Sequence, residues 1–199
     1  LEKVRVDHGV ISIGASAFSK CTYLLDIDIA NSVLTIGESA FTDCRSLQQI
    51  TLPVNLTTIE ASLFVGCSDL SEINMHNRVS AINTSAFSGC KKLTAITLST
   101  GLKTIGQSAF ASTSLEDLVV PEGVTDIGLD AFASCRSLIT ISFPSTLSNV
   151  EGDYFKQMFE QNENGAVNNL QTITIAPGNP KYKSIDGLVY SGDGKSVLY

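Results

Sequence analysis

Apolar residues recur along this chain in a fixed order, and the whole pattern returns about every 23 residues. From Ile13 the text reads IGASAFSKC. It comes back as IGESAFTDC from Ile36, IEASLFVGC from Ile59, INTSAFSGC from Ile82, IGQSAFAST from Ile105 and IGLDAFASC from Ile127. A constant period of this size predicts a solenoid, in which each unit is one coil that cannot bury its own apolar face and is stabilised by stacking on its neighbours. In the unit from Leu47 the apolar positions are Leu47, Ile50, Leu52, Leu56, Ile59, Leu63, Phe64 and Cys67. The stretch LxxIxL reads as a short strand, with Ile50 and Leu52 inward and Gln49 and Thr51 outward. The same frame predicts strands at Leu70/Ile73/Met75, Leu93/Ile96/Leu98, Leu115/Leu118/Val120, Leu138/Ile141/Phe143 and Leu170/Ile173/Ile175.

A second apolar pair in each unit (Val33/Ile36, Leu56/Ile59, Val79/Ile82, Leu102/Ile105, Val124/Ile127, Leu147/Val150) predicts another short extended segment. Pro53, Pro121, Pro144 and Pro177 fall at or just after strand ends, where proline leaves no ladder bond unmade. Gly14, Gly37, Gly106 and Gly128 fit a tight corner. The SAF segment then crosses the back of the coil, and it reads as a helical turn too short to stand alone. Equal positions of stacked coils lie one strand spacing apart, roughly 4.8 Å. Phe18, Phe41, Phe64, Phe87, Phe110, Phe132 and Phe155 are therefore expected to form a buried aromatic ladder.

Three places depart from the pattern. The unit from Ile105 carries Thr113 where the others have Cys and lacks one residue before Leu115. After Val150 the text EGDYFKQMFEQNENGAVNN precedes the strand at Leu170 and makes the connection nine residues longer than that from Phe132 to Leu138. Tyr154, Phe155, Met158 and Phe159 have helical spacing there, so a short helix is expected, either shielding the end of the core or protruding toward a partner. Beyond it, SIDGLVY and KSVLY are separated by SGDG, which reads as a hairpin covering the last coil. The chain begins in mid-coil, since LEKVRVDHGVIS aligns with the second half of a unit, and it reads as a piece of a longer protein.

Composition narrows the function classes. The apolar fraction of 43% with 17% charged residues argues against disorder. A net charge of −7 without a Lys/Arg cluster makes nucleic acid and anionic lipid poor partners. No apolar run is long enough to span a bilayer, so membrane insertion by this segment is not expected. Cys21, Cys44, Cys67, Cys90 and Cys135 all fill one slot of the coil and read as small buried hydrophobes that are unreactive in the native state. With His8 and His76 alone and no CxxC or HxxxH spacing, no metal site is expected. Asp26 and Asp28 share an outward face, which reads as a solvated acidic patch, with a weak cation site as the alternative. GDGKS (192–196) lacks the spacing of a phosphate loop, because the earlier glycine would fall at Val189. No Ser or Cys has a His partner on its face, so neither catalysis nor a cofactor is expected. Asn55 and Asn83 fit the glycosylation sequon, which matters only in a eukaryotic secretory pathway.

The residue types LxxIxLPxxVxxIGxxAFxxC closely resemble the BspA-like class of leucine-rich repeats, and the tail APGNPKYKSIDGLVYSGDGKSVLY resembles segments that close or interrupt such arrays. The resemblance implies a leucine-rich-repeat solenoid, a right-handed, β-rich curved rod with short helical turns on its back. Residues 1–150 would be repeats (a partial first coil plus six units), and 151–199 an irregular last repeat with a helical insertion and a capping β-hairpin. It also implies a bacterial cell-surface or secreted location and an adhesion or protein-recognition role. The class supplies no catalytic residue.

In such a solenoid the outward strand positions make the broad surface. Asp26, Asp28, Gln49, Thr51, Glu72, Asn74, Thr97 and Asp117 are the candidate protein-binding face, and Tyr154, Lys156, Gln157 and Glu160 belong to the candidate protruding element. The face lacks the Trp, Tyr and Arg anchors of strong protein contacts, so weak contacts multiplied along a longer array are expected. The expected partners are host or neighbouring cell-surface and matrix proteins, met by a monomeric chain. The competing expectation is a structural spacer rod that displays other domains.

Overall fold

A computed structural model describes residues 1–150, Phe155 and 169–198. The coils stack in parallel with the register the period demands. Front strands Lys3–Val6 and Asp26–Ile29 pair, as do Gln49–Thr51 and Glu72–Asn74, and Asp117–Val119, Thr140–Phe143 and Thr172–Ile175 form a three-stranded sheet. Each pairing matches a residue with its counterpart one unit on, such as Ile50 with Ile73 and Leu118 with Ile141. The second extended segment forms a two-residue strand in each coil. Five of these, from Thr58–Ile59 to Asn149–Val150, make one continuous sheet, and Ser12–Ile13 pairs with Thr35–Ile36.

One expected front strand is missing. Residues 93–98 form no ladder with either neighbour, although Leu93 and Leu98 are buried, and Ile96 is only half-buried. Glu116 N–H still donates to the Thr94 carbonyl. The break adjoins the one-residue deletion.

The back of each coil is a run of reverse turns rather than a helical turn. Within a coil, Ala17, Ser19 and Cys21 N–H groups donate three residues back, to Gly14, Ser16 and Phe18. The alternate groups, Ser16, Phe18 and Lys20, donate to Glu38, Ala40 and Thr42 of the next coil, and the scheme repeats along the array. Such alternation turns the backbone over at two points. Ser16, Ser39, Ser62, Ser85, Ser108 and Asp130 have φ between 53° and 59°, and Lys20, Asp43, Gly66, Gly89, Ser112 and Ser134 have φ between 58° and 77°. A left-handed serine costs roughly 1–2 kcal/mol, which the bonds on either side offset. At Gly37, Gly106 and Gly128 the reason for glycine is close approach and not the corner. An added Cβ would lie 2.5 Å from Ala15 N, 2.7 Å from Asn83 C and 2.5 Å from Gln107 N respectively.

The aromatic ladder runs from Phe18 to Phe132, with ring centroids 5.2–5.6 Å apart and planes within 18° of parallel. Phe155 departs from that geometry. It meets Phe143 and Tyr182 edge-on, at 82° and 69°, so it seals the core at the far end. Phe18 at the first coil is half-buried, because it has a stacked ring on one side.

The cysteines are free thiols, and the four from Cys44 onward are buried. They do more than fill space. Cys44, Cys67, Cys90 and Cys135 Sγ each donate to the carbonyl of the Phe in the coil before, Phe18, Phe41, Phe64 and Phe110, at 3.0–3.3 Å. Thr113 takes the slot in the short coil and donates instead to Phe110 of its own coil. Burial pushes the Cys44 and Cys90 thiols up to about 12 and raises those of Cys67 and Cys135 as well. The expectation of five buried thiols fails at Cys21, which is partly exposed. A maleimide at mildly alkaline pH should therefore add once to the native chain and five times after denaturation. Two or more native adducts by mass spectrometry would contradict the packing.

The terminal segment turns twice, at Asp186-Gly187 and at SGDG, where Ser191 and Leu198 N–H donate to the Ser196 and Val189 carbonyls. Tyr182–Ile185 pairs antiparallel with Leu188–Ser191 around Asp186-Gly187, whose φ values of 50° and 81° suit a tight primed turn. KSVLY contributes a single bridge, Tyr190 to Val197. Asn179 donates to the Pro144 and Leu147 carbonyls and Ser184 accepts from Ile175 N–H, which fixes the hairpin to the last coils.

Candidate functional site

Of the eight candidate strand-face residues, seven lie on strands and Thr97 does not. Asp28, Gln49, Thr51, Glu72, Asn74, Thr97 and Asp117 are exposed and Asp26 is half-buried. Their inward neighbours Ile27, Ile50, Ile73 and Leu118 are buried, so the core itself sets which side chains reach solvent. The register brings the face together in groups rather than as one row. Asp26 sits beside Lys3 and Asp28 beside Arg5, whose Nε is 4.0 Å from Asp28 and 2.7 Å from Asp7. Asn74 donates to Thr51 and Glu72, and Thr140 donates to Asp117. Thr97 lies on the segment that has no ladder, apart from either sheet. The insertion expected over 151–169, including Tyr154, Lys156, Gln157 and Glu160, lies outside the described residues except for Phe155 and Asn169.

The front ladder is also interrupted between Asp26–Ile29 and Gln49–Thr51, where Gln48 N–H reaches the Leu25 carbonyl at only 3.5 Å. A cleft of about 340 Å³ opens there, lined by Asp26, Asp28, Asn31, Gln49 and Thr51 with the edges of Ile27, Ile29 and Ile50. Four of the eight candidate strand residues thus line one concavity. Among the described residues no cluster of His, Cys, Asp or Glu could hold a metal ion.

A second set of concavities lies at the corner where the chain returns from the back to the front strands. One, of about 370 Å³, is lined by Asp43, Arg45, Gly66, Ser68, Gly89 and Lys91. The other, of about 400 Å³, is lined by Lys91, Ser112, Thr113, Ser114, Ser134, Arg136 and Ser137. The sequence candidates do not include these residues, which lie on connections and not on strands. The signal is present in the position after the cysteine slot, which reads Arg45, Ser68, Lys91, Ser114 and Arg136 in successive coils.

The profile of the BspA type leucine rich repeat region matches this chain in 6 copies, over residues 1–113 and 57–175. The chain belongs to the BspA-type leucine-rich repeat family. No curated protein matches the chain. Among solved structures, this BspA-type chain is similar to a leucine rich cell surface protein of Faecalibacterium prausnitzii, with a TM-score of 0.59 and 24% identity over 88% of this chain. A T. pallidum leucine rich repeat protein gives a TM-score of 0.54 at 25% identity over 89%, covering 69% of that protein. A leucine-rich repeat protein of Bacteroides ovatus gives 0.54 at 25% over 86%, covering 50% of that protein. The chain spans 60% of the length of the F. prausnitzii protein. No helix among the described residues is long and apolar enough to cross a membrane.

Proposed function

We propose that this chain is a non-catalytic recognition segment of a bacterial cell-surface or secreted protein, contacting basic patches of host or neighbouring surface and matrix proteins through its front face. The observation that carries the reading is the cleft between the first strand pair and Gln49–Thr51, where Asp26 and Asp28 stand with the hydrogen-bonding groups of Asn31, Gln49 and Thr51. Acidic side chains on an exposed, concave surface favour cationic partners, and such contacts weaken as salt rises. Membership of a repeat family found on bacterial surfaces supports the location. The rigid core supports the role, since every unit spends its fixed positions on stacking and varies on the outside.

The absence of aromatic anchors on the outward strand positions favours a second reading, a spacer rod. The two separate in one experiment. Binding of the chain to immobilised extracellular-matrix proteins is measured at low and high salt, beside the Asp26→Asn/Asp28→Asn variant. The recognition reading expects salt-sensitive binding that falls about three- to tenfold in the variant. Binding to none of the panel, or binding indifferent to the variant, leaves the spacer.

A further inference from the structure

The corner groove carries charge of the opposite sign to the rest of the molecule. The chain has 20 acidic and 13 basic residues, yet the larger concavity presents Lys91 and Arg136 and is lined by no carboxylate. Nearby cations are already paired: Arg45 Nη2 lies 3.3 Å from Asp43, and Lys92 Nζ lies 2.9 Å from Asp69. Lys91 and Arg136 have no carboxylate partner among the described residues. Two exposed, unneutralised cations lining one concavity in an acidic chain form a local site for an anion.

The shape comes from the repeat and its one deletion. Lys91 lines both concavities, which adjoin at this residue. Gly66 and Gly89 keep the floor of the smaller one low, both in the left-handed conformation of that slot. In the short coil the connection loses a residue, Thr113 is buried against Phe110 and Cys135, and the larger concavity lies between Lys91 and Arg136. Ser112, Ser114, Ser134 and Ser137 supply hydroxyls around it, of which Ser114 is bound to the Lys91 carbonyl. Lys91 and Arg136 are two coils apart, roughly 10 Å. That is comparable to a disaccharide in an extended chain.

We propose that this groove binds an extended anionic oligosaccharide, with sulfate or carboxylate groups on Lys91 and Arg136 and sugar hydroxyls on the serines. A planar guanidinium receives such groups through two parallel hydrogen bonds. An acidic peptide fits less well. Neither concavity presents an aromatic side chain or an apolar pocket of the kind that anchors peptide side chains. This site is separate from the acidic cleft on the front face and does not depend on it.

The test titrates the chain with a heparin-type sulfated oligosaccharide, its desulfated neutral counterpart and a poly-glutamate peptide, by calorimetry at two salt concentrations. The sulfated sugar should bind weakly and lose affinity with salt, and the neutral sugar should not bind. Lys91→Ser/Arg136→Ser should lower the affinity by about tenfold or more. The control Lys103→Ala, elsewhere on the surface, should leave it unchanged, and unchanged thermal unfolding shows that both variants fold. Asp26→Asn/Asp28→Asn should not weaken sugar binding, which separates this site from the front face. No binding, binding insensitive to Lys91 and Arg136, or equal affinity for poly-glutamate would each overturn the proposal.

Discussion

Phe87→Ala is expected to cost about 3–5 kcal/mol, and the same change at Phe18 about 1–2 kcal/mol. Phe87 is fully buried, with Phe64 at 5.4 Å on one side and Phe110 at 5.2 Å on the other. Truncation there leaves a cavity between two coils that are themselves held by flanking coils and cannot close on it. Phe18 is half-buried and stacks on Phe41 alone. The stability of a stacked array is approximately a sum of units and nearest-neighbour interfaces, so a central loss weakens two junctions and a terminal loss one. Urea titration of the two variants checks this. Equal shifts of the midpoint would contradict a one-dimensional stack.

Gly128→Ala is expected to be the next most damaging, at roughly 1–3 kcal/mol, while Gly14→Ala stays within about 0.5 kcal/mol. A methyl added at Gly128 would meet Gln107 N, Gly106 C and Gln107 Cα, at 2.5, 2.9 and 3.0 Å. All are backbone, and they are tied to the next coil by the bonds from Gly128 N–H to Ile105 and from Ser108 N–H to Leu129. They cannot move aside without loosening the junction. At Gly14 nothing lies within 4 Å. Glu60 and Asn83 occupy the same slot in other coils, and Asn83 Nδ2 donates to Glu60 across it. The demand for glycine therefore belongs to each junction. Thermal unfolding of the two variants decides it; parallel losses would mean the methyl at position 128 is accommodated.

The repeat core is legible in the sequence because burial is periodic and stacking turns that period directly into contacts. Leu47, Ile50, Leu52, Leu56, Ile59, Leu63, Phe64 and Cys67 come from one unit, and all are buried. Features set by neighbouring coils are not legible. The left-handed serines carry no glycine signal, since bonds from the adjacent coil impose their conformation. The cysteine slot reads as merely small and apolar, whereas the thiol also reaches the preceding Phe carbonyl. The lost strand at 93–98 has ordinary strand residues, and its ladder fails beside a deletion some twenty residues on. Asp186-Gly187 carries a stronger hairpin signal than SGDG, because a two-residue Asp-Gly turn matches the twist of its flanking strands. The front site is half legible. Alternation identifies the outward residues, but the opening beside Asp26 and Asp28 comes from a broken ladder that composition does not report.

The reverse turns along the back give the molecule an asymmetric stiffness. On that side every junction from the first coil to Ser112 carries three bonds, including the junctions on either side of residues 93–98. On the front those two junctions carry no ladder. A rod built this way is hinged like the spine of a book: it resists being pulled apart along the back and yields by opening at the front. The front is also open between Asp26–Ile29 and Gln49–Thr51, so such opening has three places to occur, one at each junction without a ladder.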